Sequence, residues 1–188
     1  MSHTPLPKPN YGRRDTIDFT LQRLAERHGR TIVELGSIRS PGSIAGDGCS
    51  SLAWAWYAAT HSGHLFTIDL DPHATAVTTT ATAPYAPHVT ALNLDGHAFL
   101  HDFPQPINLL YLDALDAFLP GSAEWHLTAF LLALPNLHPL SLVLIDDTDQ
   151  PEPNKASLVI PYALARGWRI ARRGRQQILL ERAAGDQT

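Results

Sequence analysis

Short apolar runs alternate along the chain with longer segments that have the composition of helices. The runs are rich in β-branched and aromatic residues, and most of them do not alternate with polar residues. They are TIVELG (31–36), HLFTID (64–69), HVTALNL (88–94), INLLYLD (107–113) and LVLIDD (142–147). Such runs are typical of strands buried on both faces of a parallel sheet. The alternation predicts β-α-β units within one open sheet, with helices on both of its faces.

The segments between the runs predict the helices. Residues 50–60, 72–82, 122–134 and 155–166 have helical length and composition. Near the N-terminus, Ile17, Leu21 and Leu24 follow Asp15 at a spacing that indicates an amphipathic helix capped by Asp15. We expect this first helix to cover the sheet.

Two further apolar runs, WRIARR (168–173) and QQILLE (176–181), lie close together near the C-terminus. Only a short Gly-Arg turn separates them, so the two strands must be antiparallel. With the five earlier runs they bring the number of predicted strands to seven.

Composition restricts the class of protein. The chain has 188 residues, 44% of them hydrophobic and 17% charged, and a formal net charge of -4, so duplex nucleic acid is not favoured as a partner. We predict a Pro-rich basic arm at 1–14 and a single domain at 15–188. The single cysteine, Cys49, excludes a disulfide framework within the chain. No signal peptide and no apolar run of about 20 residues is present, which predicts a cytoplasmic protein without membrane association.

Acidic residues stand at the predicted carboxyl ends of the first five strands. They are Glu34 with Gly36 two residues later, Asp69 and Asp71, Asp95, Asp113, and the pair Asp146 and Asp147. In an open parallel sheet the ligand crevice lies beyond these ends, where the strand order reverses. Each aspartate taken alone is also typical of a turn or a helix cap. Because five strands share the feature, we expect a ligand site at this edge of the sheet.

In this arrangement the chain resembles the class I methyltransferases that use S-adenosylmethionine, from about residue 30 to residue 181. The resemblance implies a Rossmann-like α/β fold, namely a doubly wound, mostly parallel seven-stranded sheet with a C-terminal antiparallel strand pair. In that family the first strand ends in an acidic residue and a glycine, as Glu34 and Gly36 do here. The loop that follows, which begins at Ser37, then passes beside the methionine portion of the cofactor.

The resemblance also implies which residues contact the rest of the cofactor. Asp69, in LFTIDLDP, takes the place of the carboxylate that accepts hydrogen bonds from both ribose hydroxyls, and Asp71 is the weaker candidate. Asp95 would lie near the adenine amino group, with His97 against the ring. Asp113, at the end of the fourth strand, also belongs to this predicted cofactor site.

The segment 37–47 is longer than an ordinary turn and is interpreted as an insertion in the cofactor loop. We predict that it folds over the methionine end of the site, where Arg39 could meet a carboxylate; a surface loop with a solvated arginine is the alternative. Gly48 and Ser50 begin the next helix, whose free N–H groups and Ser hydroxyl could hold the cofactor's carboxylate. Cys49 is expected to be packed rather than reactive.

The fourth and fifth strand ends, LLYLDALDAF and LVLIDDTDQ, most resemble the metal-dependent O-methyltransferases of the catechol type. The resemblance implies that Asp113, Asp146 and Asp147 bind a divalent metal, and their hard oxygen donors suit Mg²⁺ or Ca²⁺ better than zinc. The alternative is that Asp146 and Asp147 cap the following loop while Asp113 orders the cofactor loop.

Asp113, Asp116 and His126 are the candidate catalytic residues. The catechol enzymes have a lysine base three residues after the first metal aspartate, and Asp116 stands at that position here. We predict Asp116 as the base or as a further metal ligand, with His126 as another candidate for the base; an ordinary histidine on a helix surface is the alternative for His126.

We therefore predict an S-adenosylmethionine-dependent methyltransferase that O-methylates a small molecule, such as a sugar or a secondary metabolite. The predicted partner is this acceptor, with no nucleic acid and no membrane, and a homodimer is possible. One alternative is a non-catalytic domain that binds S-adenosylmethionine or S-adenosylhomocysteine within an assembly. A second is an NAD-binding oxidoreductase, because Gly46-x-Gly48-x-x-Ser51 is a degenerate dinucleotide fingerprint followed by Asp69. Such a fingerprint should follow the first strand directly, whereas Gly46 stands ten residues after Gly36, which argues against the oxidoreductase.

Overall fold

The computed structural model describes residues 12–40 and 49–183. Its six helices are α1 (Arg14–Glu26), α2 (Ser50–Thr60), α3 (Pro72–Ala81), α4 (Gly96–Asp102), α5 (Ser122–Ala133) and α6 (Val159–Leu164). Its seven strands are β1 (Thr31–Leu35), β2 (His64–Asp69), β3 (Val89–Asn93), β4 (Ile107–Leu112), β5 (Leu137–Ile145), β6 (Trp168–Arg173) and β7 (Ile178–Arg182). Two short 3-10 helices, Ala83–His88 and Leu134–Asn136, complete the described elements.

The seven strands form one sheet in the order β3-β2-β1-β4-β5-β7-β6. Strands β1 to β5 pair in parallel, and β7 pairs antiparallel with both β5 and β6. This confirms the predicted doubly wound sheet and its C-terminal antiparallel pair. The strand order reverses between β1 and β4, so the fold places the ligand crevice beyond the ends of those two strands.

Hydrophobic layers cover both faces of the sheet, which explains why the strand sequences do not alternate. On one face α1 and α2 pack on side chains such as Ile32 and Leu109. On the other face α4, α5 and α6 pack on Val33 and Leu110. Successive residues of β1 and β4 therefore enter different layers, and most of them are apolar because both layers are removed from water.

Several boundaries differ from the predicted ones. The N-cap of α1 is Arg13, whereas Asp15 lies in the first turn and its carboxylate accepts hydrogen bonds from Arg172 at 2.6 to 3.0 Å. Helix α6 starts four residues after the predicted start at residue 155. The preceding residues Asn154 and Ser157 instead form a hydrogen-bonded turn, in which the Asn154 N–H donates to Ser157 Oγ at 2.8 Å. Strand β5 begins at residue 137 rather than 142, and the short helix α4 was not predicted.

Other predictions concern parts of the chain that the structure describes only partly. Cys49 is buried, as expected. Most of the predicted arm at 1–14 and of the 37–47 insertion, and Gly48, lie outside the described residues. Arg13, from the end of the arm, is buried within the domain. Across residues 12–40 and 49–183, no helix combines the length and apolar character needed to cross a bilayer.

Candidate functional site

A cleft with a volume of about 530 Å³ lies beyond the carboxyl ends of the parallel strands. Its size falls within the range that is common for small-molecule sites. The described residues of its wall include Arg13, Gly36, Ser37, Arg39, residues 69–71, 94–96 and 113–119, Trp125, Asp147 and Gln150. The wall therefore takes residues from the ends of β1 to β5, which is where the acidic strand ends predicted a ligand site.

Gly36 brings the end of β1 into close contact with the end of β4. Its φ angle is +94°, and a Cβ atom at this position would lie 2.6 Å from the carbonyl oxygen of Asp113. A side chain at position 36 would therefore meet rigid backbone and would also need an unfavourable backbone conformation. Glycine therefore fits at position 36 because the protein's own backbone leaves no room for a side chain.

Gly36→Ala is expected to lower the free energy of unfolding by about 2–3 kcal/mol, from backbone strain and steric overlap together. Gly121→Ala is a matched control, because Gly121 also has a positive φ, +83°, but no described atom lies within 4 Å of the place that a Cβ would take there. We expect Gly121→Ala to lower the free energy of unfolding by about 1 kcal/mol, which is the contribution of backbone strain alone. Denaturant unfolding of both variants measures the difference; equal losses would show that the contact with Asp113 does not matter.

Asp69 is held in one orientation at the cleft wall. Its Oδ2 accepts a hydrogen bond from the Ser37 N–H at 2.8 Å, and its Oδ1 accepts one from the Asp71 N–H at 2.9 Å. A carboxylate has about four lone-pair directions, so two backbone donors leave acceptor capacity toward the cleft. Asp71 is the N-cap of α3, where its side chain accepts from the His73 N–H at 2.8 Å. Of the two aspartates, Asp69 is therefore the better placed to bind a ligand.

The third strand end presents Asp95 and an aromatic side chain that was not predicted. Asp95 lines the cleft and caps α4 by accepting from the Ala98 N–H at 2.9 Å. Of the described residues, the cleft wall includes Trp125 and not His97. His97 stacks on Trp125 with 4.3 Å between ring centroids. His97 therefore packs on a residue of the wall and does not itself line the cleft, which corrects its predicted contact with a bound ring; the position of Trp125 in α5 gave no local signal that it would line the cleft.

Glu34 has a structural role instead of the predicted contact with a cofactor, and it engages the hydroxyl of Ser50. Glu34 is completely buried, and its carboxylate accepts hydrogen bonds from Ser50 Oγ at 2.7 Å, Ser51 Oγ at 2.5 Å and Thr67 Oγ1 at 2.6 Å. Burial raises the pKa of Glu34 to about 7 against the opposite effect of these hydroxyls. Glu34 therefore joins the start of α2 to β1 and β2, and the Ser50 hydroxyl is already committed to it.

Asp113, Asp146 and Asp147, here called the acidic centre, lie together as predicted, but two cations of the protein itself accompany them. Lys155 Nζ lies 2.8 Å from Asp113 Oδ1 and 2.8 Å from Asp147 Oδ2. Arg13 contacts Asp146 at 2.7 Å and Asp147 at 2.9 Å. Within 12–40 and 49–183, no group of three or more His, Cys, Asp or Glu side chains is arranged to hold a metal ion. These residues therefore do not fit the predicted Mg²⁺ or Ca²⁺ site.

The two other predicted catalytic residues have different surroundings. Asp116 lines the cleft, its side chain is 38% exposed, and it pairs with the exposed Arg39 at 3.4 Å. His126 is completely buried; its Nδ1 lies 2.7 Å from the Ser122 carbonyl oxygen, and its Nε2 has no hydrogen-bond partner among the described residues. Burial lowers the pKa of His126 to about 4. Both interpretations of His126, as base and as surface residue, are therefore corrected, because packing of α5 against the sheet encloses the ring.

A second cleft, of about 390 Å³, adjoins the first. The two share Phe118, Leu119 and Gln150. The second cleft lies between the loop before α5 and the loop after β5, and its wall is rich in apolar residues, among them Phe118, Pro151 and Pro153. A ligand there would adjoin the first cleft, whose wall includes Asp116 and Asp147.

Comparisons with known proteins agree with this arrangement. A family described as a methyltransferase domain matches residues 42–148, which is more than half of the chain. No curated protein matches the sequence. Among solved structures, the O-methyltransferase NovP superimposes with a TM-score of 0.67 at 13% identity, over 90% of this chain and 78% of NovP.

Two other solved structures have the same fold. A Podospora anserina methyltransferase bound to S-adenosylhomocysteine has a TM-score of 0.64 at 14% identity, over 90% of this chain and 78% of its own. An rRNA methylase from Streptococcus thermophilus has a TM-score of 0.59 at 14% identity, over 89% of this chain and 96% of its own. At these identities the likeness shows the fold and does not show a substrate. The family match, together with the strand order and the cleft at the switch point, shows that this protein belongs to the class I methyltransferase family that uses S-adenosylmethionine.

Proposed function

We propose that this protein transfers the methyl group of S-adenosylmethionine to a hydroxyl group of a small, partly apolar molecule. The observation that carries the proposal is the pair of adjoining clefts, the first of which is lined by carboxylates. The first cleft suits the cofactor, and the second offers an apolar surface for an acceptor.

The residues of the first cleft fit S-adenosylmethionine. Asp69 would accept hydrogen bonds from the ribose hydroxyls, and the backbone at Gly36 and Ser37 would pass beside the methionine portion. Leu70 and Leu94 line the cleft although they are 71% and 42% exposed. Two exposed apolar side chains at one cleft are suited to covering a flat ligand such as adenine.

Asp116 is the side chain we assign as the proton acceptor. When bound, S-adenosylmethionine supplies an electrophilic methyl group, which the acceptor oxygen takes as it loses its proton. Asp113 and Asp147 are each paired with the buried Lys155, whereas the contact of Asp116 with the exposed Arg39 is long. Of Asp113, Asp116 and Asp147, Asp116 is therefore the least committed to other partners, and we assign it the role of general base.

The charge of the cleft supports a small neutral acceptor over RNA. Asp69, Asp71, Asp95 and Asp116 all line it, and the whole chain has a net charge of -4. RNA binding draws most of its affinity from neutralised phosphates, which an acidic cleft opposes.

A panel of hydroxylated small molecules, incubated with methyl-labelled S-adenosylmethionine, tests the proposed function. We expect label in the oxygen-methylated product of at least one apolar hydroxylated compound and none in an rRNA fragment. Label in the RNA alone would contradict the small-molecule assignment. Cofactor binding without any transfer across the panel would favour the non-catalytic binding domain instead.

A further inference from the structure

Lys155 lies where a shared metal ion would be expected between two carboxylates of the acidic centre. Its ammonium group contacts Asp113 Oδ1 and Asp147 Oδ2, both at 2.8 Å, and also lies 3.2 Å from the Asp113 carbonyl oxygen. The Lys155 side chain is only 1% exposed. All three of its donor directions are therefore used within the protein.

Arg13 provides the second positive charge from the other side of the acidic centre. Its Nε donates to Asp146 Oδ1 at 2.9 Å and to Asp146 Oδ2 at 2.7 Å, while Nη2 donates to Asp147 Oδ1 at 2.9 Å. Asp147 thus bridges the two cations, with one oxygen on each. The arginine side chain is 7% exposed and the Asp146 side chain 1% exposed, so this pairing occurs largely out of contact with water.

The carboxylate oxygens of the acidic centre are nearly all occupied by these contacts. Tyr111 adds a hydroxyl donor to Asp146 Oδ2 at 2.6 Å, and the Asp147 N–H donates to Asp146 Oδ1 at 2.8 Å. Five of the six oxygens therefore accept a short hydrogen bond. The sixth, Asp113 Oδ2, lies 3.2 Å from the Tyr111 hydroxyl, whose proton serves Asp146.

A divalent ion could not join this arrangement without displacing a protein cation. Mg²⁺ and Ca²⁺ need several oxygen ligands at about 2.0–2.6 Å. Here the oxygens of Asp113 and Asp147 converge on an ammonium group instead. Burial alone would lower the pKa of Lys155, but Asp113 and Asp147 raise it more, so the side chain keeps its charge. The resulting repulsion would oppose a second cation.

We infer that Lys155 and Arg13 replace the divalent metal of this acidic centre, so that the protein binds no metal there and works without one. Lys155 is then a positioning residue, which fixes the direction in which Asp113 and Asp147 face the cleft. The exclusion of a metal follows from these contacts alone, and only its catalytic consequence rests on the proposed function.

Thermal unfolding of Lys155→Met with and without divalent metal tests the inference. Removal of the ammonium group leaves two carboxylates facing each other, so we expect a lower melting temperature in EDTA and a rise of about 2–6 °C in millimolar Mg²⁺ or Ca²⁺. The wild type should shift by less than about 1 °C. Arg23→Met is the matched control, because the one buried carboxylate that Arg23 contacts, Glu181, keeps Arg27 and Arg169 as partners. Its melting temperature should not respond to metal.

A clear metal-dependent shift in the wild type would overturn the inference, as would a Lys155→Met variant that responds no more than the wild type. If Lys155→Met does not fold, the wild type still decides the question through Mn²⁺ titration followed by electron paramagnetic resonance. Binding of Mn²⁺ that is lost in Asp113→Asn would contradict the inference, and its absence would support it.

Once the acceptor panel has given a substrate, wild-type turnover should be the same in EDTA and in Mg²⁺, and Mg²⁺ should partly restore turnover in Lys155→Met. Loss of wild-type turnover in EDTA would overturn the inference while leaving the proposed methyl transfer intact. The melting measurements need no acceptor, so a failed panel would leave them valid.

Discussion

Asp116→Asn is expected to lower kcat for methyl transfer about 100-fold or more and to leave the affinity for S-adenosylhomocysteine unchanged. An asparagine keeps the size of the side chain but cannot accept a proton, and removal of a positioned general base typically costs 10²–10⁴ in rate. Asp116 lines the first cleft two residues before Phe118, which the two clefts share, whereas Asp69 is held elsewhere in the wall by the Ser37 N–H. The loss should therefore fall on kcat.

Single-turnover and steady-state assays with the acceptor found in the panel measure this effect. Asp102→Asn is the matched control, because it makes the same chemical change on an 85% exposed side chain of α4. We expect its kcat to stay within about twofold of the wild-type value. If Asp116→Asn also kept its kcat within about threefold, the proton acceptor would have to be another group.

Asp69→Ala is expected to weaken S-adenosylhomocysteine binding about 30- to 1000-fold. The Ser37 and Asp71 N–H groups fix the Asp69 carboxylate, so on the proposed function its remaining lone pairs would accept from the ribose hydroxyls without a further loss of side-chain freedom. Loss of two charge-assisted hydrogen bonds to a ligand costs about 2–4 kcal/mol, which corresponds to that range of affinity.

Calorimetric titration of Asp69→Ala and of the control Asp71→Ala separates the roles of the two neighbouring aspartates. Asp71 caps α3, so its replacement should cost about 1 kcal/mol of stability. It should change the affinity for S-adenosylhomocysteine by less than about threefold. Circular dichroism of both variants is the control that checks whether they are folded. A larger loss of affinity in Asp71→Ala than in Asp69→Ala would reverse the assignment of the ribose ligand.

The sequence could predict the sheet and the edge on which the site lies, because both follow from local pattern. Residues buried on both faces produce apolar runs, and parallel strands bring their carboxyl ends to one edge, so Asp69, Asp95 and Asp113 had to converge there. Helix α2 begins and ends at the residues that its composition indicated.

Side-chain partners could not be predicted in the same way, because they depend on contacts between distant parts of the chain. Lys155 contacts Asp113 across 42 positions, and Arg13 contacts Asp146 across 133. Neither cation carries a local sign of burial, so the three aspartates at two neighbouring strand ends suggested a metal site. Likewise, Glu34 looked like a cofactor ligand until its partners Ser51 and Thr67 were known.

The first cleft is, on this account, an S-adenosylmethionine site and not a dinucleotide site. Calorimetric titration of the wild-type protein with S-adenosylhomocysteine and, separately, with NADH tests this central claim most directly. We predict saturable binding of one S-adenosylhomocysteine per chain and no heat of binding from NADH. Tighter binding of NADH, or no binding of S-adenosylhomocysteine to the folded protein, would contradict the account.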